Sequence, residues 1–448
     1  MPGPTDLEQL LLEYINDARL DPLGDAARYI SSYSPLGSSD PNIANALTAF
    51  GVDGAQLLAQ FTALVPVQPV AWNDDLAAAS RQHSNAMIAA DTQSHQLPGE
   101  ASFDQRDTAA GYTGFSNLGE NVYAYAASDL FAQAGFMVDW GTGPGGMQSP
   151  PGHRQNIMSA NFREVGVGIE TDNNPSTTVG PLVVTEDFGA RFNTGAIILG
   201  TAYDDTDLNK FYSPGEGLGT LVVAVGSDSV TSWASGGFTL VTSATGAQTV
   251  ALSGAGLTGT VDAKVSLTST TNDMFEVING NTLETSASAD VSGPIGTLIG
   301  LGVTGLTLSS LDGTVHTIDG SKGNDTITTG SGNDTLMGGL GNDALHGGAG
   351  VDTAVFSGNR ASYTVTRSGL TTTVKGPDGT DTATGVEFLK FADQTLSMPA
   401  ARADVNGHGF SDIFWQNASG QAAIWTLNGL SQTGGARVGG NPGASWHV

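Results

Sequence analysis

A multidomain fold, α+β in its first part and all-β behind, is predicted by three observations. Up to residue 192, helical periodicity interleaves with short strands. From about 196 the helix patterns vanish, and short Val/Thr/Leu runs alternate with Gly/Ser turns. From 320 a nine-residue pattern recurs in phase, which predicts stacked strands in a parallel coil. Composition agrees: 448 residues are too long for one ordinary core, and 62 glycines are about twice the usual share.

The totals also exclude function classes. Lys+Arg 16 against Asp+Glu 44 gives a net charge of −28, which repels nucleic acid and anionic lipid and favours cations. With no cysteine there is neither a disulfide nor a thiolate metal site. No apolar run reaches the ~18 residues of a spanning helix, so no integral membrane span is expected. The opening MPGPTDLEQLLLEYINDAR lacks the basic and apolar regions of a signal peptide. Retention inside the cell, or export by another route, is the expectation.

Thr5 and Glu8 fit a capping box ahead of Leu7, Leu11 and Ile15. Asn73 can cap a second helix with the stripe Leu76, Ser80, His83 and Met87. His83, on an apolar face, reads as a satisfied core histidine. A third helix, about Ser128 to Trp140, puts Phe131, Ala134 and Val138 on one side. In REVGVGIE, Val165, Val167 and Ile169 share a strand face opposite Gly166 and Gly168, and PLVVTEDFG (181–189) is a further strand. No Gly-rich nucleotide loop accompanies them, so an α+β sandwich fits better than a doubly wound sheet. Residues 31–60 read as an insertion.

Residues 320–355 read GSKGNDTIT, TGSGNDTLM, GGLGNDALH, GGAGVDTAV. Gly323, Gly332, Gly341 and Gly350 recur every nine residues, as do Asp325, Asp334, Asp343 and Asp352. Ile327, Leu336, Leu345 and Ala354 keep the same step. Glycines allow tight turns, aspartates add hard oxygen ligands, and one apolar residue per strand fills a thin core. Such units stack with calcium between turns. The tract resembles the RTX (repeats-in-toxin) parallel β-roll, with residues 358–398 as the β segment that caps such rolls. The resemblance implies type I secretion to the exterior and calcium-driven folding there.

Two further loops carry acids. Asp205, Asp207, Asn209, the Phe211 carbonyl and Glu216 fall on positions 1, 3, 5, 7 and 12 of an EF-hand-like loop, with Lys210 where the hand has glycine. It opens a β-sandwich-like module expected over 196–315. DVNGHGFSD (404–412) resembles an FG-GAP/VCBS repeat, with His408 where an acid is usual. Residues 402–448 would be one partial repeat, which cannot close a propeller, so the chain reads as a truncated form of something longer.

The first 192 residues carry LLEYINDARLDP (11–22), AWNDDLAAASRQHSNAMI (71–88), His95, Gly119-Glu120-Asn121, Trp140, PGHRQNIM and FREVGVGI in order. Together these resemble the CAP superfamily (cysteine-rich secretory, antigen 5 and pathogenesis-related 1 proteins, or SCP domains) in its cysteine-free bacterial form. The resemblance implies an α-β-α sandwich with a cavity holding His95, Glu120 and His153. The family's fourth cavity residue, a glutamate near the tryptophan, has no clear counterpart: GTGPGGMQ follows Trp140, and Asp139 merely adjoins it. Two imidazoles, His95 and His153, could hold zinc or another divalent metal, with Glu120 orienting one of them or acting on a bound water. Ser149 is near His153 but lies in no nucleophile elbow.

The function expected is a secreted, calcium-binding protein whose first domain binds a ligand: a small apolar molecule such as a lipid, a peptide or a metal. Two readings stand beside it: a metal-assisted hydrolase (peptidase) using His95, Glu120 and His153, and a structural protein of the cell surface or matrix.

Overall fold

The computed structural model describes residues 3–398 together with 413–416, 422–428 and 431–437. The chain divides into two compact units, Met1–Ala287 and Ser288–Val448.

In the first unit, α1 (Asp6–Leu20) starts at the Thr5–Glu8 capping box, which closes in both directions. α2 (Pro22–Tyr29) follows, capped by Asp21. The segment read as an insertion is a small hairpin, β1 (Ser32–Tyr33) and β2 (Leu36–Gly37), then α3 (Pro41–Phe50) and α4 (Gly54–Thr62). Asp40 and Asp53 cap those two helices. After β3 (Ala71–Trp72) comes α5 (Asp74–Ala90), whose first turn is held by Asn73 Oδ1. Then come α6 (Phe103–Ala110), β4 (Phe115–Ala126), α7 (Asp129–Val138), α8 (Gly152–Ile157), β5 (Glu164–Thr171) and β6 (Leu182–Arg191).

The sheet order is β3-β5-β6-β4, parallel between β3 and β5 and antiparallel elsewhere. Strand alternation assigns its faces. Val165, Val167, Val184 and Phe188 enter the large core with α1 and α7. The opposite face receives α5, whose backbone comes so close that a Cβ on Gly166 or Gly168 would lie 2.0 or 2.3 Å from a helix nitrogen. Ser80 Oγ and Ser84 Oγ fasten the helix there by donating to the carbonyls of Gly166 and Gly168. The expected α-β-α sandwich is the fold observed.

The same unit continues into β7 (Ala196–Tyr203), β8 (Val222–Val225), β9 (Asp228–Thr231), β10 (Gly237–Thr242), β11 (Gly246–Ser253), β12 (Val261–Leu267), β13 (Asn272–Ile278) and β14 (Thr282–Thr285). They form the runs β10-β7-β13-β14 and β9-β8-β11-β12. Arg163 and Asn272 tie this module to the first domain: Arg163 Nε donates to Asn272 Oδ1, and Asn272 Nδ2 donates to the carbonyls of Pro69 and Arg163.

The second unit is built on two parallel ladders. One contains β15 (Ala289–Ser292), β17 (Thr307–Ser310), β19 (Thr326–Thr329), β21 (Ala344–His346) and β25 (Gly379–Thr384). The other contains β16 (Thr297–Gly300), β18 (Thr317–Asp319), β20 (Thr335–Met337), β22 (Thr353–Val355) and β26 (Phe388–Lys390). Leu308, Ile327, Leu345 and Ala383 stack along one ladder and Leu298, Ile318, Leu336, Ala354 and Leu389 along the other, all buried. The hairpin β23 (Thr364–Ser368) and β24 (Thr371–Gly376) adds to β25, and β27 (Thr395–Ser397) adds to β26. A separate antiparallel meander contains Ile413–Gln416, Ala422–Asn428 and Ser431–Arg437. The loop 404–412 lies outside the described residues.

Candidate functional site

Glu120 and Asn121 are neighbours on the edge strand β4, so their side chains leave on opposite faces. Glu120 faces α5 and α6. Its Oε1 lies 2.9 Å from His95 Nδ1, and its Oε2 accepts from Arg106 Nη2. A carboxylate only accepts, so Nδ1 is the donor, and in the neutral imidazole the lone pair is left on Nε2. The His95 side chain is 60% exposed, whereas Glu120 is buried. Behind Glu120 lie Asp187, whose Oδ2 accepts from Ser80 Oγ, and Asp107, whose two oxygens have no partner. Burial and the Glu120 charge push the Asp107 carboxyl up to about 7.

Asn121 faces the other way and accounts for two motifs at once. Its Nδ2 donates to the His153 carbonyl and to Glu186 Oε2, and its Oδ1 accepts from Asn156 Nδ2 at 2.8 Å. The Gly-Glu-Asn and Gly-His-Arg-x-Asn runs are thus two halves of one clamp holding α8 on β4. Within α8, His153 Nδ1 lies 2.9 Å from Asp139 Oδ1, its backbone N–H donates to Asp139 Oδ2, and its ring packs edge-on against Phe136. Asp139, which follows α7 in the left-handed conformation, is therefore the acid that serves His153.

Each histidine has a carboxylate of its own, Glu120 for His95 and Asp139 for His153. Among the described residues, the one group of three or more histidines and acids with ligand atoms within 4.8 Å of one another is Asp205, Asp207 and Glu216. His95, Glu120 and His153 do not make such a set. His83 is fully buried with Nδ1 on Glu100 and Nε2 on the Ser94 carbonyl, a structural role. Sequence reasoning missed Arg106 and Asp107, which no motif marks. A cleft of about 440 Å³ opens beside α8, lined among others by Gln56, Gln60, Leu64, Pro151, Arg154 and Met158, and neither His95 nor His153 lines it.

Residues 12–188 match the family model of the cysteine-rich secretory protein (CAP) family, and 318–354 match that of the RTX calcium-binding nonapeptide repeat, in four copies. The chain carries a CAP domain and RTX repeats. No curated protein matches it. Among solved structures it is similar to an extracellular protein containing an SCP domain from Bacillus anthracis str. Ames, at 21% identity and TM-score 0.22, over 35% of this chain and 45% of that one. The chain thus spans under half the length of that protein. It is also similar to an outer surface protein from Borrelia burgdorferi, at 12% identity and TM-score 0.22, over 32% of this chain and 88% of that one.

The RTX repeats make the chain a calcium-binding protein, and their side chains fit a hard cation. Each aspartate reaches back one full turn. Asp343 Oδ1 accepts from Asp325 N and Asp352 Oδ1 from Asp334 N, both at 2.8 Å. The second oxygens of Asp334, Asp343 and Asp352 are buried without a partner. Asp325 differs, since its Oδ2 accepts from Ser321 N. Burial and the charges of Asp334 and Glu387 push the Asp352 carboxyl up to about 7, a strain that a divalent cation would relieve. Gly341 and Gly350 hold φ of 135° and 136°, and a Cβ on either would strike the carbonyl of Gly323 or Gly332, which stand at the same step one turn earlier.

In the EF-hand-like loop, Lys210 adopts φ 61°, the left-handed turn that glycine makes at that position. Asp205, Asp207 and Glu216 converge. Glu216 is already engaged, Oε1 by Thr206 N and Oγ1 and Oε2 by Ser213 N. Asn209 Nδ2 donates to Asp207 Oδ2, and the Phe211 ring stacks on Tyr14. No helix among the described residues is long and apolar enough to cross a membrane.

Proposed function

We propose that this is a secreted protein, exported by a type I route, whose RTX roll folds on meeting calcium outside the cell and displays the CAP domain as a binding head. The observation that carries the reading is the row of buried, partnerless oxygens on Asp334, Asp343 and Asp352. Deprived of a cation, such carboxylates are costly, and a chain with that cost stays loose enough to cross a channel. Calcium at extracellular-module affinities of roughly 10⁻⁴–10⁻³ M then favours the coil. Asp334→Ala or Asp343→Ala is expected to raise the calcium midpoint for ordering residues 320–356, followed by circular dichroism. An unchanged midpoint would overturn the reading.

For the head, a ligand site built on His95 and His153 is supported by the two carboxylates that engage their Nδ1 atoms, the arrangement typical of metal-binding imidazoles. Zinc or another divalent metal, or a polar ligand group, suits those nitrogens, and the cleft beside α8 suits a small apolar molecule or a peptide. Binding is favoured over hydrolysis because the histidines answer to different acids, whereas a catalytic zinc takes three protein ligands. The full chain is expected to take up zinc with His95→Ala and His153→Ala each weakening it, and to turn over no peptide. Peptide hydrolysis abolished by His153→Ala and by chelation would replace this reading with the hydrolase.

A further inference from the structure

The loop that carries His95 is fastened by two side chains, to which it presents only acceptors. His83, on α5 and fully buried, has Nε2 2.8 Å from the Ser94 carbonyl and Nδ1 2.8 Å from Glu100 Oε1. Arg106, on α6 and 6% exposed, donates from Nη1 to the carbonyls of His95 and Ala101, at 3.3 and 2.9 Å. The same Nη1 lies 3.7 Å from Glu100 Oε2, and Nη2 reaches Glu120. Glu100 Oε2 also accepts from Leu97 N at 3.0 Å, and Leu97 belongs to a small apolar cluster with Met87, Val122 and Ala124. The place at which His95 meets Glu120 is thus fixed from both ends of the loop.

A carbonyl oxygen cannot donate, and an ionised carboxylate cannot either. Burial would raise the Glu100 carboxyl, but the Leu97 N–H, His83 and Arg106 outweigh it and hold it below the usual carboxylate range. Glu100 is therefore ionised, and both His83 nitrogens face groups that only accept. A neutral imidazole has one N–H, so it can satisfy only one of them. We infer that His83 is an imidazolium and the positioning residue for the loop that presents His95, tying Ser94 to Glu100 through its two N–H groups. The charged groups about the ring are Glu100 on the loop and Arg106 behind it, while Asp187, on β6, is taken by Ser80 Oγ farther along α5. Loss of one ring proton sets a lone pair against a carbonyl or a carboxylate, two acceptors with no hydrogen between them. The clasp therefore holds while the ring keeps both protons and is released as pH rises and one leaves. At the acid end, protonation of Glu100 undoes it from the other side.

The bearing of this clasp on ligand uptake rests on the binding reading of His95, but its test needs no ligand. In nitrogen-15 spectra of the full chain at pH 6, the His83 ring should show two protonated nitrogens, its signals assigned by their absence from His83→Gln. Protection of the Leu97 and Glu100 amides, corrected for intrinsic exchange, should fall roughly tenfold between pH 6 and pH 9. In Glu100→Gln the new amide can donate to Nδ1 and let a neutral ring serve Ser94, so the same fall should shrink to within about twofold. A bare ring nitrogen on His83 at pH 6 would overturn the inference. So would amide protection in the unaltered chain that ignores pH, or a fall that persists undiminished in Glu100→Gln. Two ring protons without zinc uptake at His95 would uphold the clasp and overturn the ligand reading instead.

Discussion

Glu186 is buried on the inner strand β6, where Asn121 is its hydrogen-bond partner. Its Oε2 accepts from Asn121 Nδ2 at 2.9 Å, and its Oε1 has no partner. Burial pushes the carboxyl up to about 8 from an ordinary value of 4.5. Across that interval the folded chain keeps a proton that the unfolded chain has released, so stability falls as pH rises. Glu186→Gln cannot ionise. It is expected to match the parent within about 1 kcal/mol at pH 5 and to exceed it by on the order of 2–4 kcal/mol at pH 8. Urea unfolding followed by tryptophan fluorescence at both pH values checks this. A parent protein equally stable at the two pH values would refute it.

The seam between α5 and β5 is where an element owes its place to residues that have no side chain. Alternation in REVGVGIE already assigned Val165 and Val167 to one face. The reason for the glycines opposite is the backbone of α5, and no local pattern announces a helix from 80 or more residues away. Gly166→Ala would put a methyl 2.0 Å from Ala77 N and is expected to cost roughly 1–3 kcal/mol of stability, read from urea unfolding. Gly152→Ala, with nothing within 4 Å of its Cβ position, should be neutral or stabilising by up to about 1 kcal/mol. Equal effects would remove the close-approach argument. The long helices and the in-phase repeats were legible because period and caps are local. α3 and α4 were not, being short and embedded among Gly, Ser and Pro, with stability that comes from packing. At the site, His95, Glu120 and His153 could be named from motifs, but Arg106 and Asp139 each find a partner 14 residues away in a direction only the fold determines.

At the scale of the whole molecule, net charge −28 is a standing repulsion that calcium offsets unevenly. Between 318 and 357 there are five aspartates and one lysine, and four of those aspartates lie buried in the turns. A site held at one hundred times its dissociation constant contributes about 2.7 kcal/mol to folding, so several sites in one roll amount to most of a domain's stability. The CAP domain has a large apolar core of its own, built without the roll. Chelation should therefore separate the two units by stability. Limited proteolysis in calcium is expected to leave the chain intact through the roll. In chelator, cleavage should spread through residues 288–398, leaving a resistant fragment that ends near Ala287, while the helical circular-dichroism signal changes little, since α1 to α8 all lie before residue 192. Digestion of the N-terminal unit at the same rate as the roll, or equal resistance of the roll with and without calcium, would contradict this division of labour.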